Sequence, residues 1–343
     1  MRIAIVGHFG GNERFNDGQT VKTIAIHDAL KRYGIQKIDK IDTFYIRRNI
    51  FRFILQFGKS IVLDKKFIVL LSDKGRKALF PVFYGMSKIG KEVYHYGIGG
   101  RLAREVRENK KWKKYVSSFK GNWLESIELV EALQKQGVNN AIYLPNFKKL
   151  NILPKEDLRK EYSIPYKLCT FSRVMEEKGI EDAIAAVQKI NNIYGKQIVT
   201  LNIYGPIDKG YVERFKDVLK SADSCTYCGV IDADKSVEAI KDNYLLLFPT
   251  HWRHEGIPGT IIDGMSAGLP VVARRWQYCD EMIRHGYNGY SYDFDKPDML
   301  METITFAINH LEETIQMKAN CIDKAYEYSE ERVIREIVNQ LGI

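Results

Sequence analysis

Short apolar runs alternate with amphipathic segments along the whole chain. Arg2 to Val6, Phe67 to Leu71 and Tyr244 to Phe248 are short and largely apolar, which predicts strands buried on both faces of a parallel sheet. Between such runs, apolar side chains recur at helical spacing, which predicts helices, as at 123–133 and 180–187. Because the order strand, helix, strand recurs in both halves, the sequence predicts an α/β fold with two Rossmann-like domains.

The pattern also places the domain boundaries. Pro145 and Asn146 break a strand, and 148–165 has the polar composition of a linker. We therefore expect a first domain at 1–150 and a second at 151–325. The last segment, 326–343, predicts an amphipathic helix, with apolar positions at Val333, Ile334, Ile337, Val338 and Leu341.

The most informative stretch follows the strand that ends at Phe248. A loop leads into a helix predicted at 260–267, and Gly268 ends that helix. Two acids stand eight positions apart, Glu255 in the loop and Asp263 on the helix. Both can face one ligand and accept hydrogen bonds from hydroxyl groups, although a lone loop acid beside a solvated helix residue fits this spacing equally well. Helix N-termini of this kind bind anions.

A second polar pair lies at the start of the second domain. Arg173 and Lys178 flank the turn between a strand and a helix, and Gly179 follows. Both cations can reach an anion held at that helix N-terminus, the arginine as a planar fork and the lysine as a compact charge. Two cations that simply face solvent are the alternative.

Glycines follow two further strands. Gly10, Gly11 and Gly18 lie in the loop after the first strand, and Gly205 ends the strand at 198–204. Glycine lets backbone N–H groups approach a ligand closely. The first loop has neither the dinucleotide-binding glycine fingerprint nor the ending of a Walker loop, which disfavours a dinucleotide dehydrogenase.

One histidine has a predicted position at the end of a strand. His95 lies in the strand predicted at 92–96, ahead of the glycine turn at 97–100. A structural role in the core and a ligand-facing role are both open for it.

Charge is divided unevenly between the two halves. Residues 1–150 hold 29 basic and 13 acidic residues, against 23 and 30 in residues 151–343. The basic half suits an anionic membrane surface, and 47–59 mixes basic and large apolar residues as interfacial helices do. No nucleic-acid-binding signature accompanies this charge, so nucleic acid is not an expected partner.

Cysteine content and hydropathy indicate the cellular compartment. The five cysteines are scattered, which is typical of a reducing compartment. Cys225 and Cys228 form a lone C-x-x-C pair without a second pair or a nearby histidine, so no metal site is predicted. No apolar run is long enough to predict a transmembrane helix, and the N-terminus lacks signal-peptide character. We expect a cytoplasmic protein, or one peripheral on the inner face of a bacterial plasma membrane.

The stretch from Glu255 to Asp263, within E-G-I-P-G-T-I-I-D and A-G-L-P-V-V-A, resembles the donor site of retaining glycosyltransferases with the GT-B fold. It is most similar to glycosyltransferase family 4 (group 1), whose bacterial members build capsule, exopolysaccharide and O-antigen. The family pattern has Glu at both ends, and Asp263 shortens the second side chain by one methylene. The resemblance covers 166–290 well and the N-terminal half loosely.

The resemblance implies a fold of two facing Rossmann-like domains with a cleft between them, and a C-terminal helix that crosses back to the first domain. It implies sugar transfer from a nucleotide diphosphate sugar to an acceptor hydroxyl, with retention at the anomeric carbon. The diphosphate is held by cations and a helix dipole, so no essential metal or other cofactor is expected. The expected acceptor is a saccharide, lipid-linked at an anionic membrane.

Residue roles follow from the same resemblance. The expected catalytic residues are His95 near the donor sugar, Glu255 on that sugar, and Arg173 and Lys178 on the diphosphate. Asp263 is expected to hold the ribose, and the remaining substrate-binding positions are Gly10, Gly11, Gly18, Gly205, Gly256, Ile257, Pro258, Gly259 and Thr260. Two alternatives stay open: a non-catalytic protein that binds a nucleotide sugar or glycan, and a nucleotide-sugar epimerase or phosphorylase of the same shape.

Overall fold

The computed structural model describes residues 2–13, 15, 18–97, 101–147, 149–253 and 255–343. Contacts divide the chain into two compact units, one of residues 1–146 with 330–343 and one of residues 147–329. These divisions lie within a few residues of the predicted boundaries at 150 and 326. Within the described residues, no helix combines the length and the apolar character needed to cross a bilayer.

The first unit is built on one parallel sheet. Its described strands are β1 (Arg2–Gly7), β2 (Lys37–Asp42), β3 (Lys66–Leu70), β4 (Glu92–Gly97), β5 (Gly121–Leu124) and β6 (Ala141–Tyr143). They lie in the order β2-β1-β3-β4-β5-β6. The helices that connect them are α1 (Gly18–Arg32), α2 (Tyr45–Arg48), α3 (Ile50–Leu63), α4 (Asp73–Lys88), α5 (Leu102–Glu108), α6 (Lys110–Ser118) and α7 (Ile127–Gln134).

The second unit repeats the architecture. Its described strands are β7 (Tyr166–Phe171), β8 (Val199–Tyr204), β9 (Cys225–Gly229), β10 (Leu245–Phe248), β11 (Val271–Arg274) and β12 (Gly289–Tyr292). Their order is β12-β11-β10-β7-β8-β9, the doubly wound order of nucleotide-binding folds. The helices are α8 (Ile180–Tyr194), α9 (Val212–Lys220), α10 (Ser236–Ile240), α11 (Gly259–Ser266), α12 (Cys279–Met282), α13 (Met299–Asn309) and α14 (Leu311–Tyr326). The predicted α/β class is confirmed.

The last helix, α15 (Glu330–Leu341), belongs to the first unit. Its predicted apolar face is buried, from Val333 to Leu341. The Arg32 guanidinium of α1 donates to the Glu330 carboxylate at 2.6 Å, and the Tyr94 hydroxyl donates to the Gln340 carbonyl at 3.1 Å. The helix therefore completes the packing of the sheet formed by β1–β6.

Two predicted helices differ from the structure. A helix predicted at 123–133 begins only at Ile127, because Trp123 lies on β5 and its ring stacks 5.1 Å from that of Tyr94. The helix predicted at 47–59 is interrupted at Asn49, whose side chain accepts a hydrogen bond from the Arg52 N–H and caps α3. The first prediction failed because Trp123, an aromatic residue that favours strands, happens to fit helical spacing. The second failed because Asn49 was not recognised as the N-cap that begins a new helix.

His95 is buried in the described structure, and its expected contact with the donor sugar stays a prediction. Strand β4 continues past it to Gly97, and its side chain is 0% exposed. The imidazole packs edge-on against Phe80, with ring centres 4.9 Å apart, and its strand neighbour in register is Asn122. Residues 98–100 of the predicted glycine turn lie outside the described residues. In this structure His95 belongs to the core of the first unit.

Burial of His95 predicts an acid-sensitive contribution to stability. Desolvation, helped by the charge of Arg76, lowers the pKa of His95 to about 3, whereas an unfolded histidine titrates near ~6.5. Between these values the unfolded chain binds a proton that the folded chain excludes, so the free energy of unfolding decreases as pH falls below ~6.5. His95→Leu should flatten this slope by up to about 1.4 kcal/mol per pH unit, measured by urea unfolding from pH 4 to 8. An unchanged slope would contradict the burial.

Two glycines at the ends of α8 give a matched test of packing. Gly179 and Gly195 both have left-handed backbone, with φ +69° and +63°. A Cβ at Gly179 would lie 2.0 Å from the Pro249 carbonyl oxygen, whereas nothing lies within 4 Å of one at Gly195.

We expect Gly195→Ala to cost about 1 kcal/mol for its backbone conformation alone. Gly179→Ala should cost a further ~1–3 kcal/mol for the clash. Urea denaturation monitored by tryptophan fluorescence measures both variants. Equal losses would mean that the loop at Pro249 moves aside freely.

Candidate functional site

The strand order of the second unit reverses between β7 and β10. The connection after β7 leads to β8 on one side of this point, and the connection after β10 leads to β11 on the other side. The two connections therefore diverge, and a crevice forms between them at the carboxyl ends of the strands. The loops that enter this crevice are 172–179, after β7, and 249–258, after β10. Both loops carry predicted site residues, Arg173 and Lys178 on the first and Glu255 on the second.

An ion pair joins the two loops. The Lys178 ammonium lies 2.6 Å from a Glu255 carboxylate oxygen, and the two side chains are only 12% and 15% exposed. The ammonium also lies 4.4 Å from the centre of the Trp252 ring, in the range of a cation–π contact. Thr250 donates a longer hydrogen bond, 3.4 Å, to the same carboxylate oxygen. The structure thus brings two predicted site residues together and adds Trp252 and Thr250.

Backbone contacts hold the loops at this distance. The Gly179 backbone approaches the Pro249 carbonyl so closely that no larger residue fits, and the His251 N–H donates to the Glu177 carbonyl at 2.8 Å. The His251 ring in turn bonds to Asp182 of α8 at 2.9 Å. These contacts fix the positions of the two loops relative to each other.

Two helices begin at the crevice without a side-chain cap. These are α8, after Gly179, and α11, after Pro258. Uncapped first-turn N–H groups carry partial positive charge and bind anions or polar oxygens. Arg173, exposed in the first loop, adds a full charge. The crevice thus brings Arg173, Lys178 and Glu255 beside two helix N-termini.

The loop from Gly256 to Thr260 is placed by one further contact. The Trp276 indole N–H donates to the Gly256 carbonyl at 3.1 Å. Ile257 and Pro258 then lead into α11, which begins at Gly259. The Thr260 hydroxyl is buried and has no hydrogen-bond partner among the described residues, as a group that bonds a ligand or water would be.

Asp263 is more enclosed than its helical position predicted. It lies in the second turn of α11, is 4% exposed, and accepts a hydrogen bond from the Ser236 hydroxyl at 3.1 Å. Ser236 begins α10, so the contact joins the loop after β9 to the helix after β10. The solvated alternative for Asp263 is thereby excluded, and its expected contact with a ribose stays a prediction.

Gly205 has a packing role in this structure. It is buried with φ +132°, and a Cβ there would lie 1.8 Å from the Ser172 carbonyl oxygen. Its N–H donates to Gly229, and its carbonyl accepts from the Tyr227 hydroxyl. Because these groups are engaged, Gly205 supports the loop that carries Arg173, and its expected ligand contact stays a prediction.

In the first unit, Asp42 organises the glycine loop after β1. Its carboxylate accepts hydrogen bonds from the N–H groups of Phe9, at 2.9 Å, and Gly11, at 2.8 Å. Gly10 and Gly11 have φ +84° and +59°, and Gly18 starts α1. The Gly11 N–H is therefore directed at the protein itself, a contact that the sequence analysis missed.

The first unit also holds a buried lysine. Lys22 of α1 pairs with Glu125 at 2.9 Å and donates to the Tyr96 hydroxyl at 3.2 Å and to the Asn146 side chain. Burial lowers the pKa of Lys22, and the charge of Glu125 opposes that change. This polar cluster lies at the carboxyl ends of β4, β5 and β6.

Two Asp-x-Asp stretches lie outside these clusters. Asp232 pairs with Lys235 at 3.3 Å, and Asp295 pairs with Arg253 at 2.5 Å. In the part of the chain that the structure describes, no group of three or more His, Cys, Asp or Glu side chains has metal-binding proximity. The expectation of no essential metal stays a prediction.

Comparison with known sequences finds a family similarity in the second unit. The family model "Glycosyl transferases group 1" matches residues 165–310. The amylovoran biosynthesis glycosyltransferase AmsK of Erwinia amylovora is 26% identical over 253 residues, which cover 62% of this chain and 61% of AmsK. An uncharacterized glycosyltransferase of Methanocaldococcus jannaschii, MJ1069, is 21% identical over 152 residues, 43% of this chain and 37% of that protein. The chain thus spans less than two thirds of either relative.

Solved structures match over the whole chain. Anabaena Alr3699/HepE in complex with UDP superposes with a TM-score of 0.71 at 15% identity and covers 100% of both chains. Sucrose-phosphate synthase from Thermosynechococcus elongatus gives a TM-score of 0.66 at 15% identity, over 99% of this chain and 98% of that one. Together with the sheet orders, these matches show that the chain has the GT-B fold, and residues 165–310 are similar to the group 1 glycosyltransferase family.

Proposed function

We propose that the chain transfers a sugar from a UDP-sugar to the hydroxyl of a saccharide acceptor. The observation that carries this proposal is the Lys178–Glu255 pair, 2.6 Å apart beside the uncapped starts of α8 and α11 in the group 1 domain. UDP is the proposed nucleotide because Alr3699/HepE is described in complex with UDP and with UDP-glucose.

The proposed donor pose assigns each group a partner. Arg173 and Lys178 contact the diphosphate, aided by the first-turn N–H groups of α8 and α11. Glu255 accepts hydrogen bonds from the sugar hydroxyls, and Asp263 from the ribose. Since Lys178 and Glu255 neutralise each other without ligand, donor binding replaces one internal ion pair by two contacts to different parts of one molecule.

The chemistry follows from this pose. As the bond between the anomeric carbon and the diphosphate oxygen breaks, negative charge builds on the diphosphate, and Arg173 and Lys178 stabilise it. The acceptor oxygen attacks the same face that the diphosphate leaves, and the diphosphate takes the acceptor's proton. The anomeric configuration is thereby retained, and neither a carboxylate base nor a metal ion is required.

The proposed acceptor is a glycan linked to a lipid at an anionic membrane, as in surface-polysaccharide assembly. Helix α3 supports this assignment. It buries Phe53 and Phe57 in the core while Phe51 and Leu55 are 77% and 73% exposed. Arg52 and Lys59 lie on the same helix. An exposed apolar face flanked by basic residues is typical of helices that lie in a membrane interface.

A donor-binding experiment tests the proposed function. UDP bound to the native state raises the melting temperature by mass action. Arg173→Ala removes an exposed cation that the pose places on the diphosphate, so UDP should no longer stabilise the variant at a concentration that stabilises the wild type. Lys196→Ala, which removes an exposed cation of the same unit after α8, should keep the full shift.

Turnover separates the enzyme from a binding protein. Glu255→Gln should retain UDP binding within about threefold and lose transfer by at least about a hundredfold, since a hydrogen-bonding carboxylate is lost from the donor sugar. Transfer by the wild type should persist in EDTA, and the product should have the anomeric configuration of the donor by NMR. UDP-sugar binding without transfer to any lipid-linked saccharide, or conversion of the donor in the absence of acceptor, would contradict the proposal.

A vesicle experiment tests the membrane assignment. The wild type should float with vesicles of phosphatidylcholine and phosphatidylglycerol at low salt. Phe51→Ser with Leu55→Ser should reduce this partitioning more than tenfold, because two apolar side chains no longer enter the interface. Ile89→Ser with Ile193→Ser, each 69% exposed in the wild type, is the matched control. A wild type that stays unbound at low salt would overturn the assignment.

A further inference from the structure

The first unit contains a cavity of about 550 Å³ that no proposed donor contact uses. It lies at the carboxyl edge of the first sheet, where the strand order reverses between β1 and β3. His8, directly after β1, and Thr43, directly after β2, both line it. Every residue of its wall belongs to the first unit.

Three cations line the cavity: Arg47 and Arg48 of α2, and Lys74 in the first turn of α4. No acidic side chain is among the described residues of its wall. Arg48 approaches Glu13 at 3.7 Å, but both side chains are more than half exposed, so water screens this attraction strongly. The described residues of the wall therefore carry a net positive charge.

An aromatic floor lies beside the cations. The ring of Phe15 is 5.0 Å from that of His8 and 6.0 Å from that of Phe44, in edge-on contacts. The Arg48 guanidinium lies 5.7 Å from the centre of the Phe44 ring, which holds this cation at the cavity. The cavity thus offers an apolar surface next to concentrated positive charge.

The exposed apolar face of α3 begins immediately beyond this wall. Only Asn49 separates Arg48, the end of α2, from the start of α3. A molecule with an anionic head group and an apolar tail matches both the cationic cavity and the apolar face of α3. Its head group would contact the cations in the cavity, while its tail would stay in the membrane interface in which α3 is proposed to lie. Arginine forks and lysine ammonium groups are the side chains that bind phosphate oxygens.

We propose that this cavity binds the phosphate of a lipid-linked phosphate or diphosphate, with Arg47, Arg48 and Lys74 as its ligands. The proposal rests on the proposed function, since the lipid carries the acceptor saccharide, and it assigns that acceptor a phosphate-binding site in the first unit.

Binding of a soluble lipid phosphate to the full chain tests this site. Dihexanoyl phosphatidic acid, kept below its micelle concentration, is titrated into the wild type and into Arg47→Ala with Lys74→Ala. Loss of two cations should weaken binding at least about tenfold. Lys37→Ala with Lys120→Ala removes the same charge from exposed lysines at the amino ends of β2 and β5 and should bind as the wild type does. Equal affinity in the cavity variant would overturn the proposal.

Two further arms identify the source of the phosphate. Inorganic pyrophosphate should compete with the lipid at least about tenfold more weakly than unlabelled lipid does; equal competition would overturn the lipid assignment in favour of a free phosphate. The variant Phe51→Ser with Leu55→Ser should bind the soluble lipid with wild-type affinity, since its cavity is intact. The same variant should partition into vesicles more weakly than the wild type.

The UDP melting shift separates this proposal from the proposed function. Arg47→Ala with Lys74→Ala should keep the wild-type shift, because neither residue belongs to the second unit. A wild type that no nucleoside diphosphate stabilises would refute the donor assignment, while the lipid titration would still report on the cavity.

Discussion

The second unit depends on the enforced proximity of two loops at the point where its strand order reverses. Gly179 against the Pro249 carbonyl brings the loops together, and Lys178 and Glu255 then meet in a place largely removed from water. Each charge would be costly there alone, and together they satisfy each other. The same two groups are the ones proposed to bind the donor, Lys178 its diphosphate and Glu255 its sugar. The contact that joins the two loops therefore also places one positive and one negative group side by side in the crevice.

The sequence predicted the fold well because buried parallel strands have a simple apolar pattern. It placed Arg173, Lys178 and Glu255 in loops at strand ends, and the sheet order brings those loops to one crevice. For His95 the sequence left a core role and a ligand-facing role open, because the exact end of β4 decides whether its side chain reaches the edge of the sheet. In the structure the strand continues to Gly97 and the side chain is buried. Strand boundaries are the least certain part of a sequence-based prediction.

Contacts between distant residues could not be predicted in this way. Asp42 bonds to Gly11, Lys22 to Glu125, and Ser236 to Asp263. The members of each pair meet because the carboxyl ends of parallel strands lie at one edge of a sheet, so the segments that follow those strands are neighbours. A single sequence shows no pattern for such pairs, since every member looks like an ordinary polar residue beside a helix or strand. The cavity lined by Arg47, Arg48 and Lys74 is hidden for the same reason.

The return of α15 to the first unit has a consequence for the order in which the protein forms. The second unit, 147–329, is continuous in sequence, whereas the first needs 330–343 to cover its sheet. During translation, residues 147–329 can fold before the apolar face of α15 has been made. The strands of the first unit are synthesised first, yet their packing can be completed only after Leu341 and its neighbours on α15 have been made.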